Sequence, residues 1–471
     1  MGVRCFTTKF SELAEDNVMR CDEKFFSFFL KNHWLLYPET KGKTIQLRDI
    51  LKWDYNVFDL EEGEEYKWIP TGWWYVDEDW EINDYQSVNL ENCPWRIKYS
   101  MTNENIGISS LRLAKAPAIY FENLNLSDYI FSNWYYIFKI KNNWNRKFVL
   151  YVLRAKAIKK LIDNNIYRWI WISAYREEDL LKIKIPDISI EQQNKAIEKI
   201  EPIEQRIKQL KSTIKPVQEV IDEVFTREFW FNKSEFVELK KKVQFKTSIS
   251  DFWNNRDLRN SCKFHRPSAY MLQQFLNWKT NLKIKHFLTE DIVLWAGVSP
   301  SDYDENGDYS YISMATIKNW SVNYEEAKSV SNEYSNQKIA KNIKKWDILI
   351  ARSGEWTIWK VALVEEDFDW IFADFVMRVR LEGCNLKFAY YYFRSYIFQY
   401  LIEIHKKWLW NNTNIFPTQI QEMSFPKFSL SDQERIVEEI QTEIDKQNEI
   451  REQIQQERSK IDEIVESIIR N

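Results

Sequence analysis

Ile185-Pro186-Asp187-Ile188-Ser189-Ile190-Glu191-Gln192-Gln193 and Phe425-Pro426-Lys427-Phe428-Ser429-Leu430-Ser431-Asp432-Gln433 are two versions of one pattern, 240 residues apart (185 to 425). The match continues through Ile197/Val437, Glu198/Glu438 and Ile200/Ile440. Upstream, Trp169-Ile170-Trp171 corresponds to Trp408-Leu409-Trp410 at an offset of 239 (169 to 408). Order and spacing are both kept, so the chain is read as an internal duplication, each copy a globular domain followed by a helix.

The helices announce themselves by spacing. Ile200, Ile203, Ile207, Leu210, Ile214, Val217, Ile221 and Val224 follow one another at steps of 3, 4, 3, 4, 3, 4 and 3. That is a coiled-coil seam, and the Glu, Lys, Gln and Arg between are its solvated side. Pro202 lies near the start, where its missing N–H matters little, whereas Pro216 is interior and predicts a kink or an interruption. At the C-terminal end Val437, Ile440, Ile444, Ile450, Ile454, Ile461, Ile464 and Ile468 form a second apolar stripe. A helix from about residue 431 to 470 would span roughly 60 Å at about 1.5 Å per residue. In the globular parts, Asp347–Arg352 and Lys360–Val364 read as strands joined by a tight connection, and the Tyr- and Phe-rich Leu386–His405 reads as a helix. The fold class predicted is α+β with a mainly antiparallel sheet.

Bulk numbers narrow the function. At 471 residues, two to four domains are expected, and 44% hydrophobic with 29% charged residues excludes a largely disordered chain. No apolar run approaches the ~18–20 residues of a membrane span; Phe148–Leu153 is about the longest. Met1-Gly2-Val3-Arg4-Cys5-Phe6 has no signal-peptide apolar region, and Phe6 breaks the myristoylation pattern. The five cysteines, odd in number and scattered, fit a reducing cytoplasm and neither a disulfide framework nor a zinc site. None of the four histidines stands at ligand spacing, so no metal is expected. Charge is uneven: residues 430–471 carry 12 acidic and 6 basic side chains, while Lys240–Phe287 holds 11 Lys/Arg against Asp251 and Asp257. Phe245, Phe252, Trp253, Phe264, Tyr270 and Phe275 interleave that basic stretch, which is either a solvated face or a surface for phosphates.

Lys345-Trp346-Asp347-Ile348-Leu349-Ile350-Ala351-Arg352-Ser353-Gly354-Glu355-Trp356-Thr357-Ile358-Trp359-Lys360-Val361-Ala362 resembles the G-D-I-L-x-x-R-x-G-x-x-x-G-K-x-A hairpin of target-recognition domains in type I restriction–modification specificity subunits. The two helix starts are similar to that family's P-x-x-x-[IL]-x-x-x-Q-x-x-I spacer-helix pattern. The resemblance covers essentially the whole chain and is weakest over residues 1–120. It implies a first target-recognition domain over 1–186, a first spacer helix over 187–228, a second recognition domain over 229–426 and a second spacer helix over 427–471. It also implies that the two helices pair as an antiparallel coiled coil through the stripes above.

The departures from the family pattern are systematic. Trp346, Trp356, Trp359, Trp408 and Trp410 stand where the pattern or tight-turn chemistry wants glycine, and Gly72-Trp73-Trp74 and Asp79-Trp80 read equally well as glycine turns. A hairpin such as Ser353–Trp359 needs a residue that tolerates φ > 0, which glycine does without steric cost and tryptophan does badly. The chain holds 9 glycines and 22 tryptophans, and average glycine usage is about 7%. The reading is that most of these tryptophans are UGA codons read as glycine in the source; the alternative is genuine tryptophans stacking on bases or filling cores. Recoding would turn Gly354 to Lys360 into G-x-x-x-x-G-K, but Val361 replaces the Mg²⁺-binding Ser/Thr and leads into a strand, so no nucleotide site is expected.

No methyltransferase motif, cofactor loop, triad or nuclease cluster is found, so the chain is expected to be no enzyme and to hold no cofactor. By resemblance, each recognition domain reads half of a split sequence in double-stranded DNA. Two methyltransferase subunits and the restriction/translocase subunits are the expected partners, and these would bring S-adenosylmethionine, ATP and Mg²⁺. Candidate DNA contacts are Lys344, Lys345, Arg352 and Lys360 around the hairpin, and Lys406, Lys407, Asn411, Asn412 and Thr413 around the Trp408–Trp410 loop. Arg168, Tyr175 and Arg176 occupy the corresponding loop of the first half. Arg and Asn pair bidentately with guanine and adenine edges, and lysines hold phosphates. Two other readings stay open: the recognition subunit of a different restriction system, such as one with a single-chain methyltransferase–nuclease, and a coiled-coil scaffold with no DNA role.

Overall fold

A computed structural model describes residues 44–71, 75–77, 81–110, 118–122, 124–141, 143–155, 158, 176–248, 250, 261–294, 297–318, 320–354, 357–367, 369–372, 375–409 and 412–470. The chain divides into two compact units, Met1–Thr213 with Arg451–Asn471, and Ile214–Ile450.

In the first unit β1 (Leu51–Trp53), β2 (Tyr66–Ile69), β3 (Gln86–Val88), β4 (Ile97–Ser100), β5 (Asn105–Ser109), β6 (Ala118–Ile119), β7 (Tyr129–Ser132) and β8 (Tyr135–Ile140) build two sheets. One has the order β1-β8-β5-β6 and is antiparallel throughout. The other has the order β4-β7-β2-β3, with a short fifth strand, Asn56–Val57, at its edge beside β4; β2 and β7 are parallel and the remaining pairs antiparallel. β5, Asn-Ile-Gly-Ile-Ser, is buried at every position. A Cβ on Gly107 would come 2.9 Å from Ile119, so the missing side chain lets β6 lie close. After β8, Asn145 caps α1 (Arg146–Arg154) by accepting from the Phe148 amide, and α2 (Ile190–Thr213) follows.

The second unit opens with α3 (Val217–Phe229), α4 (Lys233–Lys241) and α5 (Pro267–Lys279). Then come β9 (Val293–Leu294), β10 (Tyr309–Ile312), β11 (Ile317–Lys318), β12 (Ser321–Val322), β13 (Lys328–Val330), β14 (Asn342–Ile343), β15 (Ile348–Ala351), β16 (Val361–Leu363), β17 (Trp370–Phe372) and β18 (Val376–Val379). α6 (Leu386–Arg394), α7 (Tyr396–His405) and the hairpin β19 (Lys407–Leu409)–β20 (Asn412–Asn414) follow, and α8 (Leu430–Arg470) starts in this unit and from Arg451 on belongs to the first. Its sheets run β9-β18-β15-β16, antiparallel, and β13-β10-β17-β14, in which β10 and β17 are parallel. Apart from the extra edge strand Asn56–Val57 in the first unit, this is the order of the first unit, with the same single parallel pair. The duplication read in the sequence is therefore a duplication of topology.

Both faces of the β15 sheet are covered. Ile348, Ile350, Val361 and Met377 pack with Phe225, Leu272, Phe388, Tyr392 and Phe425, while Leu349 and Ala362 pack with Ile312, Ile343 and Phe372. Strands buried on two sides read as continuous apolar runs, as Ile348–Ala351 does.

The paired helix starts owe their likeness to one device. Gln193 accepts from the Asn145 amide at 2.7 Å and donates to the Ile188 carbonyl at 2.7 Å; Gln433 accepts from the Asn385 amide at 2.8 Å and donates to the Phe428 carbonyl at 3.0 Å. Ser189 and Ser429 each accept the amide three residues on, ending the helix as an N-cap should. Asn385 caps α6 through the Phe388 amide, as Asn145 caps α1.

One helix break follows from the sequence pattern and one does not. The seam through residue 224 is interrupted at Pro216, which N-caps α3. Leu386–His405 is not one helix, because Ser395 (φ −56°, ψ 149°) breaks it, and the freed Tyr396 amide donates to Asp222 at 2.8 Å. Along α2 and α3, Ile200, Ile207 and Ile221 are buried while Ile203, Leu210, Ile214 and Val217 are half-buried. Along α8, Ile436, Ile440, Ile454, Ile461, Val465 and Ile469 are buried, and Val437, Ile444, Ile464 and Ile468 are half-buried. Within the first unit Arg206 pairs with Glu457 at 3.2 Å. Within the second, the Lys215 amide donates to Gln447 at 2.8 Å and Arg435 pairs with Glu228 at 2.6 Å. Among the described residues no helix is long and apolar enough to cross a membrane.

Candidate nucleic-acid interface

The β15–β16 hairpin is fixed at its open end by Asp347. The Asp347 amide donates to the Lys344 carbonyl at 3.1 Å, which closes a four-residue turn with Trp346 in third place. The Asp347 carboxylate, 1% exposed, accepts from the Lys344 amide at 2.8 Å and from Arg380 through both oxygens at 2.7 Å. Arg380 also meets Glu290 at 3.1 Å, and Glu290 pairs with the buried Arg378 at 2.5 Å. The bond to Asp347 pushes the Arg380 guanidinium above its ordinary value. Burial, then the Arg380 charge, pushes Arg378 down. The Asp of the motif is thus a charge-matched structural anchor, and the sequence signal for it was its place directly after a turn.

The other end carries the loop chemistry. Gly354 has φ 94°, and its carbonyl accepts from the amides of Thr357 at 3.2 Å and Ile358 at 3.0 Å. A Cβ there would lie 2.2 Å from Thr357 Oγ1, so only glycine fits. This tip meets the β19–β20 hairpin: the Gly354 amide donates to the Thr413 carbonyl at 3.1 Å, and the Ile415 amide donates to the Arg352 carbonyl at 2.9 Å. Two segments about sixty residues apart in sequence are therefore joined by backbone bonds, with Arg352, Thr413 and Lys407 in one neighbourhood. Lys344 and Lys345 lie at the opposite end of β15 and are not brought to it.

Chemically the candidates differ. Lys344, Lys345 and Arg176 are exposed. Arg352 is half-buried, with its guanidinium 5.5 Å from the Phe375 ring centroid. Lys360 Nζ donates inward to the Met314 carbonyl at 3.0 Å, and burial, then the Lys318 charge, holds its amine below the usual range. Lys406 has a side chain only 9% exposed and pairs with Glu403 at 2.8 Å, while Lys263 reaches the same carboxylate at 2.5 Å. Burial alone would raise Glu403, but the two lysine hydrogen bonds hold its carboxyl below its ordinary value. The i, i+3 spacing of Glu403 and Lys406 was the signal in the sequence; the part of Lys263 carried none. Lys407 is half-buried opposite Asn414, Thr413 is buried, and Asn412 pairs with Leu409 in the hairpin register. Asn411, Arg168 and Tyr175 lie outside the described residues, as do Trp356, Trp410, Trp73, Trp74 and Trp80. What the described surface offers is cationic side chains and a β15–β16 loop at Gly354 held to β20 by backbone bonds.

Residues 297–458 match the sequence pattern of the type I restriction modification DNA specificity domain. No curated protein matches the chain. Among solved structures the chain is similar to the HsdS subunit from Thermoanaerobacter tengcongensis, with 12% identity over 91% of this chain and 96% of that one and a TM-score of 0.34. It is similar to the type I restriction–modification S subunit from M. genitalium, with 11% identity over 92% and 97% and a TM-score of 0.40. A third similar chain comes from a structural study of complex assembly and conformational transition of the type I R-M system, with 12% identity over 91% and 98% and a TM-score of 0.46.

Proposed function

We infer that this chain, whose residues 297–458 carry a type I restriction modification DNA specificity domain, is the sequence-specificity subunit of a type I restriction–modification complex. The observation that carries the reading is the repeat of that domain's strand order, and of its glutamine clasp, in the first half of the chain. One recognition domain twice over is what a reader of a two-part site needs, since two half-sites read by one body specify sequence and spacing together.

Each half reads one part of a split target in double-stranded DNA. Exposed Lys344 and Lys345 are suited to phosphates, and the joined tips around Arg352 and Thr413 to the groove. The two helical stripes pair as an antiparallel coiled coil. Supporting this, partners in the second unit run in opposite sequence order, 215 with 447 and 228 with 435. The helices hold the domains at a set spacing and take two methyltransferase subunits, to which restriction/translocase subunits add. This chain acts in the cytoplasm and performs no chemistry; S-adenosylmethionine, ATP and Mg²⁺ belong to the partners.

The test is a genome-wide methylation map of cells expressing the chain with its neighbouring methyltransferase subunit. Methyladenine at a split motif with a fixed spacer, lost when the chain is omitted, is the expected result. A map unchanged by the chain, with both subunits folded and associated, would overturn the reading in favour of a scaffold.

A further inference from the structure

We infer that Trp230, Trp320 and Trp346 occupy glycine positions, and that the cell of origin makes this chain with glycine there, from UGA codons. The backbone carries the argument. Among the described residues four non-glycine side chains have left-handed φ, and three of them are tryptophans: Trp230 at 60°, Trp320 at 66° and Trp346 at 76°, with Phe375 the fourth. Tryptophan makes up only 22 of 471 residues, so its hold on this conformation is not a matter of abundance.

Each of the three sits in a different glycine-requiring motif. At the end of α3, the Phe231 amide donates to the Thr226 carbonyl and the Trp230 amide to the Arg227 carbonyl, both at 3.0 Å. That is the paired bonding of a Schellman motif, whose left-handed residue is usually glycine. Trp346 is third in the turn closed by the Asp347 amide on the Lys344 carbonyl, the place where a type II turn demands positive φ. Trp320 is the second residue of the two-residue loop joining β11 to β12, whose ends pair as Lys318 with Ser321. Asn-Gly is the preferred sequence of such a loop, and this chain reads Asn319-Trp320.

Trp230 and Trp320 lie outside the recognised sequence motif, so the structure adds them independently. Trp359, which the motif placed at a glycine, does not have positive φ; among the described residues of that loop the left-handed one is Gly354. Trp68 and Trp370 are buried strand residues without a left-handed backbone, so nothing in their φ asks for glycine. One reassigned codon explains scarce glycine and surplus tryptophan together, because it moves a subset of glycines into the tryptophan count.

The decisive experiment is peptide mass spectrometry of the chain purified from its source cells, read beside the gene's codons. Expected are glycine at 230, 320 and 346 over UGA, and tryptophan at 68 and 370 over UGG. Tryptophan at all three left-handed positions would overturn the inference. A second arm uses recombinant chain. Trp230 is 86% exposed, so Trp230→Gly removes strain and little packing, and should raise Tm by roughly 2–4 °C. Trp278, 77% exposed within α5, has a helical backbone, so Trp278→Gly should lower Tm instead. Equal falls for both variants would refute the glycine assignment at 230.

Discussion

Removing the Asp347 carboxylate tests whether the β15–β16 hairpin hangs on a buried charge pair. Asp347→Ala deletes three acceptor contacts, two from Arg380 at 2.7 Å and one from the Lys344 amide at 2.8 Å. Breaking a buried ion pair by removing one partner costs about 3–5 kcal/mol. Here the orphaned Arg380 keeps Glu290 at 3.1 Å and a side chain 22% exposed to water, which places the expected loss at the low end, about 3 kcal/mol. For a unit of this size that is roughly 6–12 °C in Tm. Asp347→Asn keeps one side-chain acceptor, for the Lys344 amide and one Arg380 N–H, but loses the charge and sets an amide N–H against the other Arg380 donor, so it should cost less than Asp347→Ala without being neutral. Arg380→Met leaves the carboxylate buried with one amide donor and should cost more than either. The assay is thermal unfolding of the full chain by calorimetry, following the transition of the 214–450 unit, with the Asp347→Ala/Arg380→Met double variant closing a cycle. An Asp347→Ala transition within about 2 °C of the parent would show that the carboxylate does not anchor the hairpin.

Three further outcomes are expected. Gln193→Ala and Gln433→Ala each strand one half-buried amide and one carbonyl and should each cost about 1–2 kcal/mol, read from urea midpoints; a difference of several-fold between them would deny that the clasps are equivalent. Lys344→Ala and Lys345→Ala should each lower the slope of log affinity against log salt for the target duplex by about one, whereas Lys406→Ala, whose charge is already matched by Glu403, should leave that slope unchanged. Glu403 has a folded-state pKa below its unfolded value, so its stabilisation is present above that unfolded value, near 4.5, and is lost as pH falls through the folded pKa. Glu403→Gln should therefore flatten the acid limb of Tm against pH, and an unchanged limb would remove the Lys263–Glu403–Lys406 cluster as its source.

The duplication was legible because the residues that mark it are those that make the same contacts twice: a Gln at 193 and 433 clasping an Asn-capped helix, and a Ser capping the next one. Pro216 was legible because a missing N–H is a local fact. The break at Ser395 was not, since Leu386–His405 holds neither Gly nor Pro; the alternative partner that pulls the Tyr396 amide out of the helix is Asp222, 174 residues earlier. The candidate surface divides in the same way. Exposed Lys344 and Lys345 follow from a charged turn beside a buried strand. The inward turn of Lys406 depends on Lys263, and that of Lys360 on the Met314 carbonyl, neither of which local pattern contains. Along α8, Ile436, Val465 and Ile469 are buried beside the half-buried Val437, Ile464 and Ile468, because in an apolar pair such as Ile436-Val437 the depth of each side chain is settled by packing.

The two glutamine clasps make their amides into reporters of motion. The main-chain N–H groups of Asn145 and Asn385 have as partner a side-chain oxygen that lies 48 residues further along, on the first turn of α2 or α8. An amide held this way exchanges with solvent deuterium when that first helical turn lifts off its domain, even while the sheets stay closed. Exchange at 145 and 385 thus separates undocking of a helix from unfolding of the domain it serves, and does so for each half of the chain on its own.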